Sequence, residues 1–223
     1  MTLATPPPAP HAPTTGWKWP AGPRIVVLVS GRGSNLQALI DTGCPIAEVV
    51  SNVPRAPALE RARTAGIPAG TLDHRRFRSR AEFDDALAAR VDGPGRANLV
   101  VLAGFMRILG PAFTQRFAGR LINVHPSVLP ALPGLHTHRR ALEARVREHG
   151  CTVHFVTEAL DAGPIIERAR IEVRPDDSPE SLAARVLVEE HRILPRAIHR
   201  FATGRLRLRD GKAWLDGRPI QPG

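Results

Sequence analysis

Apolar residues occur along this chain in short runs separated by amphipathic segments. Nearly unbroken runs of Val, Ile and Leu at 25–29 and 98–103 predict strands buried on both faces, as in a parallel sheet. Similar patterns predict further strands at 46–51, 67–72, 120–124, 151–157 and on to Val173, and a terminal hairpin at 205–214. Helical spacing predicts helices from Leu36, at 58–65, after Ser79, at 111–117, at 139–148 and after Ser178. This alternation predicts an α/β fold with a mostly parallel sheet.

The last predicted helix is the longest and carries an acid on its apolar face. Ser178 is predicted to cap it, Pro179 to begin it and Pro195 to kink or interrupt it. Glu190 falls within the apolar stripe. An acid that faces the core needs a partner, which is either an arginine or a ligand, and spacing alone leaves both open. The stripe consists of Leu182, Val186, Ile193 and Ala197.

A glycine loop follows the first strand and opens the first helix. Residues 30–35 read Ser-Gly-Arg-Gly-Ser-Asn, and unpaired N–H groups at a helix start favour a phosphate. The dinucleotide fingerprint is incomplete, because Leu36 stands where a third glycine is needed. A glycine loop alone is also typical of a tight turn, although Ser34 and Asn35 can bind phosphate oxygens.

An amide and an imidazole converge near the end of the strand predicted at 120–124. Asn123 and His125 project to the same side because strand side chains alternate, and Pro126 ends the strand. Open α/β sheets bind ligands at the carboxyl ends of their strands. The alternative is a pair of side chains that cap loop backbone, and only other motifs decide between the two.

Length and composition predict one domain after a tail. The chain has 223 residues, of which 43% are hydrophobic, which suits a single domain at 23–223. Residues 1–22 are rich in Pro, Ala and Thr without periodicity, so we expect a disordered tail.

The net charge of +10 does not by itself predict a nucleic-acid partner. Its basic residues are almost all arginines, scattered without interleaved aromatics, which favours a solvated surface and, secondarily, anionic small substrates. Cys44 and Cys151 have neither metal-type spacing nor a disulfide framework, and no membrane span or signal peptide is evident. We therefore expect a cytoplasmic protein.

Five motifs together resemble one enzyme family over nearly everything beyond the tail. They are SGRGSNLQALI, LAGFMRIL, LINVHPS-x-LP, PGLHTH and HFVTEALDAGP. The chain closely resembles the glycinamide ribonucleotide formyltransferases, folate-dependent enzymes of purine synthesis. The resemblance implies a Rossmann-like formyltransferase fold and formyl transfer from 10-formyltetrahydrofolate to the amine of 5-phosphoribosylglycinamide. It implies small-molecule partners, no metal, nucleic acid or membrane, and leaves a homodimer open.

The resemblance also assigns site residues. The catalytic trio is Asn123, His125 and Asp161. The ribonucleotide residues are Gly33, Ser34, Asn35, Leu187, Val188, Glu189 and Glu190. The folate residues are Arg80, Met106, Arg107, Ile108, Leu109, Asn123, Thr157, Glu158, Ala159, Leu160 and Asp161. One departure is Ala162, where the family usually has glycine; Ala is tolerable if its φ stays negative.

The chemistry needs donors aimed at the formyl oxygen, where negative charge builds up as the amine attacks. Asn123 and protonated His125 would donate, and Asp161 would orient His125 and relay a proton. The other histidines, including His136, His138, His154 and His191, are predicted to be structural.

Three alternatives remain. Methionyl-tRNA formyltransferase and formyltetrahydrofolate deformylase share the trio but resemble this core with an additional domain. A non-enzymatic phosphate-ligand or RNA-binding module would explain the glycine loop and the charge, but not the trio.

Overall fold

The computed structural model describes residues 17–93 and 97–221. Its elements are β1 (Ile25–Val29), α1 (Ser34–Asp41), β2 (Ile46–Ser51), α2 (Pro57–Thr64), β3 (Ala69–Thr71), α3 (Arg80–Val91), β4 (Leu99–Leu102), α4 (Pro111–Arg116), β5 (Leu121–His125), α5 (Thr137–Glu143), β6 (Glu148–Phe155), β7 (Ile165–Glu172), α6 (Pro179–Ala202), β8 (Leu206–Arg209), β9 (Lys212–Leu215) and β10 (Arg218–Pro219). A 3-10 turn at His74–Arg76 precedes α3. None of the described helices is long and apolar enough to span a membrane.

Seven of the strands form one mixed sheet in the order β3-β2-β1-β4-β5-β6-β7. The first five strands are parallel, whereas β6 is antiparallel to both β5 and β7. The strand order reverses at β1, between β2 and β4, and such a point opens a crevice at the carboxyl ends of the strands. The glycine loop follows β1 and the segment 103–110 follows β4, so both border this crevice.

The sheet separates two apolar clusters because successive residues of a strand face opposite sides. Val27 of β1 belongs to the cluster that contains Leu36 of α1 and Val186 of α6. Val26 of β1 belongs to the cluster that contains Phe83 of α3 and Phe113 of α4. The predicted α/β fold, with a mostly parallel sheet covered on both faces, is therefore confirmed.

Helix α6 has its predicted cap and is not interrupted at its proline. The predicted cap is present, since Ser178 Oγ accepts the Ser181 N–H at 3.2 Å. Pro195 neither interrupts nor ends the helix, which continues to Ala202. Leu194, Pro195 and Ile198 are all buried, and this packing compensates for the missing N–H of the proline.

Boundaries between α5 and β6 were also placed wrongly. The helix predicted at 139–148 ends at Glu143, and β6 begins at Glu148, which pairs with Glu172 of β7. This pairing partner lies 24 residues further along the chain, so a local pattern does not contain it. The predicted terminal hairpin forms as β8 and β9, and β10 adds a third strand to it.

The predicted tail at 1–22 falls mostly on residues 1–16, which lie outside the described residues. Its last part, from Trp17, contacts the domain. Trp19 packs against the core and its Nε1–H donates to the Thr42 carbonyl at 2.7 Å. Trp17 and Trp19 therefore supply apolar surface from within the predicted tail.

Candidate active site

Strand β5 brings Asn123 and His125 to the same side, next to strand β6. The antiparallel register pairs Asn123 with His154 and His125 with Thr152. Asn123 pairs with Leu102, the last residue of the parallel neighbour β4. His125 lies beyond the end of β4. The amide and the imidazole thus lie at the sheet edge where α/β proteins bind ligands.

His125 is buried between two acceptors. Its Nε2 lies 3.0 Å from the Leu132 carbonyl oxygen, and its Nδ1 lies 3.4 Å from Asp161 Oδ2. Both partners accept hydrogen bonds, so each ring nitrogen faces an acceptor. These two contacts fix the orientation of the ring.

Asp161 reaches this site from the turn between β6 and β7. Its backbone has a φ of 50°, in the left-handed region, and its Oδ2 accepts the Gly134 N–H at 2.8 Å. Aspartate tolerates this conformation better than most residues. The carboxylate therefore joins two distant segments to His125 and does more than cap its own turn.

Ala162 fits the turn that the family usually builds with glycine. Its φ is not positive, so an alanine is tolerated at this position. Gly163 is the residue with no room for a side chain, because a Cβ there would lie 1.8 Å from the Phe155 carbonyl oxygen.

His154 was predicted to be merely structural, but it contacts the Asn123 amide. Its Nδ1 lies 2.9 Å from the Phe155 carbonyl, so this nitrogen carries the proton, and Nε2 is left to accept from Asn123 Nδ2 at 3.2 Å. Burial lowers the pKa of His154, against the opposing effects of the Phe155 carbonyl and Asp161, and so favours the neutral ring. His154 thereby fixes the orientation of the Asn123 amide, with its Nδ2 directed at His154.

Thr152 holds the loop that supplies Leu132 and Gly134. Its Oγ1 donates to the Ser127 carbonyl at 2.7 Å and accepts the Leu129 N–H at 3.0 Å. The partners of His125 and Asp161 in this loop are therefore held by strand β6 itself.

The glycine loop meets α6 through a buried pair of side chains. Asn35 Nδ2 donates to Glu190 Oε2 at 2.6 Å. Burial raises the pKa of Glu190 to about 7, and the Asn35 bond only partly opposes this. Among the described residues Glu190 has no arginine partner, so the amide takes the place of the ion pair that the sequence left open.

The other predicted ribonucleotide residues differ in position. Gly33 has a φ of 75° and packs so closely on α2 that a Cβ would lie 2.6 Å from Ala58 Cβ. Ser34 begins α1. Glu189 bonds Arg192 on the helix surface at 2.7 Å, and Leu187 and Val188 are half-buried.

Apart from Asn123, the predicted folate residues lie on two irregular segments, 106–109 and 157–161, and at the start of α3. Met106 is 68% exposed and Ile108 55% exposed, whereas Leu109 is buried. Arg107 lies over the Phe83 ring at 5.0 Å, and Arg80 begins α3. The segment 157–160 is largely exposed, with Leu160 at 55%.

Within the described ranges, no group of three or more His, Cys, Asp or Glu side chains could hold a metal ion. The donors that the site does present are amide, imidazole and backbone N–H groups. These donors suit an oxygen that gains negative charge during a reaction.

Comparison with known proteins identifies similar chains over most of this length. Residues 23–198 match a family described as formyl transferase. The chain is 51% identical over 205 residues to phosphoribosylglycinamide formyltransferase of Escherichia coli (strain K12), covering 89% of this chain and 96% of that protein. A phosphoribosylglycinamide formyltransferase structure from Coxiella burnetii superposes with a TM-score of 0.85 at 46% identity, covering 90% of this chain and 97% of that one. A glycinamide ribonucleotide transformylase structure from Symbiobacterium toebii superposes with a TM-score of 0.83 at 45% identity, covering 90% and 97%.

Proposed function

The chain belongs to the formyl transferase family, and we propose that it transfers a formyl group from 10-formyltetrahydrofolate to the amine of 5-phosphoribosylglycinamide. The products are formylglycinamide ribonucleotide and tetrahydrofolate, in purine biosynthesis. Close relatives over nearly the whole chain carry this activity in their names. The observation in the site that best supports the proposal is the convergence of a fixed amide, an imidazole and a carboxylate beside one strand end.

The reaction begins when the amine lone pair attacks the formyl carbon. A carbon–nitrogen bond forms, and the formyl oxygen becomes negatively charged. One N–H of Asn123 is directed at His154, which leaves the second N–H of the same amide for that oxygen. A protonated His125 stabilises the negative charge on the formyl oxygen further. When the bond to the folate nitrogen breaks, the oxygen regains its double bond.

During this step two acceptors compete for the Nε2–H of His125. Its Nε2–H already donates to the Leu132 carbonyl, so the formyl oxygen competes with that carbonyl or shares the hydrogen with it. Asp161 Oδ2, 3.4 Å from Nδ1, orients the ring from the other side. The same carboxylate is the group that takes a proton from the attacking amine and passes one to the leaving folate nitrogen.

The ribonucleotide phosphate binds at the glycine loop in this proposal. The backbone N–H groups at the start of α1 favour an anion, and Gly33 allows close packing there. Glu190, held by Asn35, accepts or donates a hydrogen bond to the ribonucleotide according to its protonation. Leu187 and Val188 offer only apolar contact and backbone groups.

The folate binds between the two irregular segments. The exposed apolar side chains of Met106, Ile108 and Leu160 suit the flat pterin and benzoyl rings. Arg80 suits the glutamate carboxylates of the folate, because it is exposed at the start of α3.

The domain that does this chemistry is proposed to comprise residues 23–223. It works in the cytoplasm on small molecules, without nucleic acid or membrane, and a homodimer is compatible with it.

The direct test incubates the protein with 5-phosphoribosylglycinamide and 10-formyltetrahydrofolate. Mass spectrometry should detect formylglycinamide ribonucleotide, formed in step with tetrahydrofolate. Release of formate in the absence of the ribonucleotide would instead indicate a deformylase. Absence of both products, with salt-sensitive RNA binding, would indicate a binding module.

A further inference from the structure

A half-buried serine and a buried aspartate hold the irregular segment 106–110 at its ends. The Met106 N–H donates to Ser30 Oγ at 2.7 Å, and the Gly110 N–H donates to Asp84 Oδ2 at 2.6 Å. Met106 and Ile108 project outward between these two bonds, at 68% and 55% exposure. Such a segment lacks the hydrogen-bond ladder of a helix or a sheet, so its shape depends on anchors of this kind.

The Ser30 hydroxyl is oriented by Asn52, which directly follows the end of β2. The Ser30 hydroxyl donates to Asn52 Oδ1 at 2.6 Å, so its lone pairs are directed at the Met106 N–H. Asn52 is buried, and its Nδ2 lies 3.2 Å from His74 Nδ1. The hydroxyl is thus fixed as an acceptor for the loop.

The anchor at Asp84 lies among the arginines assigned to the folate. Asp84 is only 3% exposed, and burial raises the pKa of its carboxyl. The Gly110 N–H and the charges of Arg107 and Arg80 oppose that effect and favour the ionised acceptor. Gly110 fits closely here, because a Cβ would lie 3.0 Å from Asp84 Oδ2.

We propose that Ser30 and Asp84 are positioning residues that fix segment 106–109 in the conformation that receives the formyl folate. This inference rests on the proposed function. With both anchors the segment is ordered before binding. Loss of one anchor transfers the ordering cost to the folate binding step, while the ribonucleotide, bound at residues 33–35, is spared.

The test compares Michaelis constants for the two substrates in matched variants. Ser30→Ala and Asp84→Ala should each raise KM for the folate about five- to tenfold, as expected for loss of one hydrogen bond to a buried group. KM for the ribonucleotide should stay within about twofold. Asp84→Asn keeps an acceptor for the Gly110 N–H and should stay closer to wild type than Asp84→Ala.

Two controls separate this role from general destabilisation. Ser51→Ala removes a buried serine at the neighbouring strand end, whose hydroxyl donates to the Val53 carbonyl at 2.9 Å and not to the loop. Asp85→Ala removes an exposed carboxylate from the same helix. Both should leave KM for the folate unchanged.

Several outcomes would overturn the inference. They are an unchanged KM for the folate in Ser30→Ala, an equal rise in both Michaelis constants, or an Asp84→Asn variant as impaired as Asp84→Ala. If Asp84→Ala does not fold, Ser30→Ala and Asp84→Asn decide the question. A wild-type protein without formyl transfer would refute the proposed function instead, so the two failures are distinguishable.

Discussion

His125 lies between two acceptors, the Leu132 carbonyl and the Asp161 carboxylate. Asp161→Asn removes the charged one with little change in volume, so the ring loses the carboxylate that orients it and the site loses its proton relay. We expect kcat to fall by more than the loss of one oxyanion donor, which is on the order of 10² to 10³. The measurement is kcat with both substrates saturating.

The same pair can be tested for coupling. His125→Ala and the double variant with Asp161→Asn complete a cycle, and the losses should be far from additive because the two groups act as one unit. A double-variant loss equal to the product of the single losses would show that Asp161 does not act through His125.

Glu190 supports a second prediction at the scale of one residue. It bonds Asn35 in the glycine loop, so Glu190→Gln should raise KM for the ribonucleotide about tenfold or more and leave that for the folate nearly unchanged. Equal effects on both substrates would contradict a ribonucleotide contact.

The raised pKa of Glu190 also predicts how stability depends on pH. Its value rises from 4.5 to about 7 in the folded protein, so the folded state binds the proton more tightly than the unfolded state. The stabilisation that the tighter proton binding by Glu190 contributes to the folded state is fully present below pH 4.5. It is lost as pH rises through about 7. The free energy of unfolding of wild type should therefore fall across this window relative to that of Glu190→Gln, by on the order of 1–3 kcal/mol. Parallel curves for the two proteins would contradict the shift.

At the scale of elements, the turn between β6 and β7 depends on Gly163. A Cβ there would lie 1.8 Å from the Phe155 carbonyl oxygen, and that backbone is held by the bond from the Phe155 N–H to the Pro164 carbonyl at 2.9 Å. Gly163→Ala should cost roughly 3 kcal/mol or more in unfolding free energy. Urea denaturation measures this, with Ala162→Gly as the control.

The control variant changes the neighbouring residue, Ala162. Ala162 has an ordinary backbone conformation, so Ala162→Gly should change stability by only about 1 kcal/mol or less. Similar losses in the two variants would mean that the turn does not have the close contact described here.

Most elements could be predicted from the sequence because their signals are local. The Val and Leu runs gave β1 and β4, and Ser178 and Pro179 gave the start of α6. The course of α6 past Pro195 depends on burial against the sheet, which a local pattern does not contain.

The candidate site shows the same division between local and long-range information. Motifs indicated Asn123, His125 and Asp161, and the structure brings His125 and Asp161 together. His154 was missed as a partner of Asn123, because only the antiparallel register of β5 and β6 joins residues that are 31 positions apart. Its position within HFVTEALDAGP was the available signal, but that motif does not reveal the register.

At the scale of the whole molecule, residues 17–19 connect distant parts of the chain. The Trp19 Nε1–H donates to Thr42 after α1, and His199 Nε2 lies 3.2 Å from the Lys18 carbonyl oxygen. The rings of Trp17 and Trp19 lie 5.0 and 5.2 Å from that of His199 in α6. This segment therefore holds the end of α1 to the last turns of α6.

Two truncations test that role. Removal of residues 1–16 deletes sequence without core-forming pattern, so we expect no change in unfolding free energy. Removal of residues 1–22, or Trp19→Ala alone, should lower it by about 1–3 kcal/mol, because a large apolar side chain and its hydrogen bond are lost. Formyl transfer at 25 °C should survive in all three proteins, since the contacts of the tryptophans are with Thr42 and His199. If the two truncated proteins unfold at the same urea concentration, the contacts of Trp17 and Trp19 do not stabilise the domain.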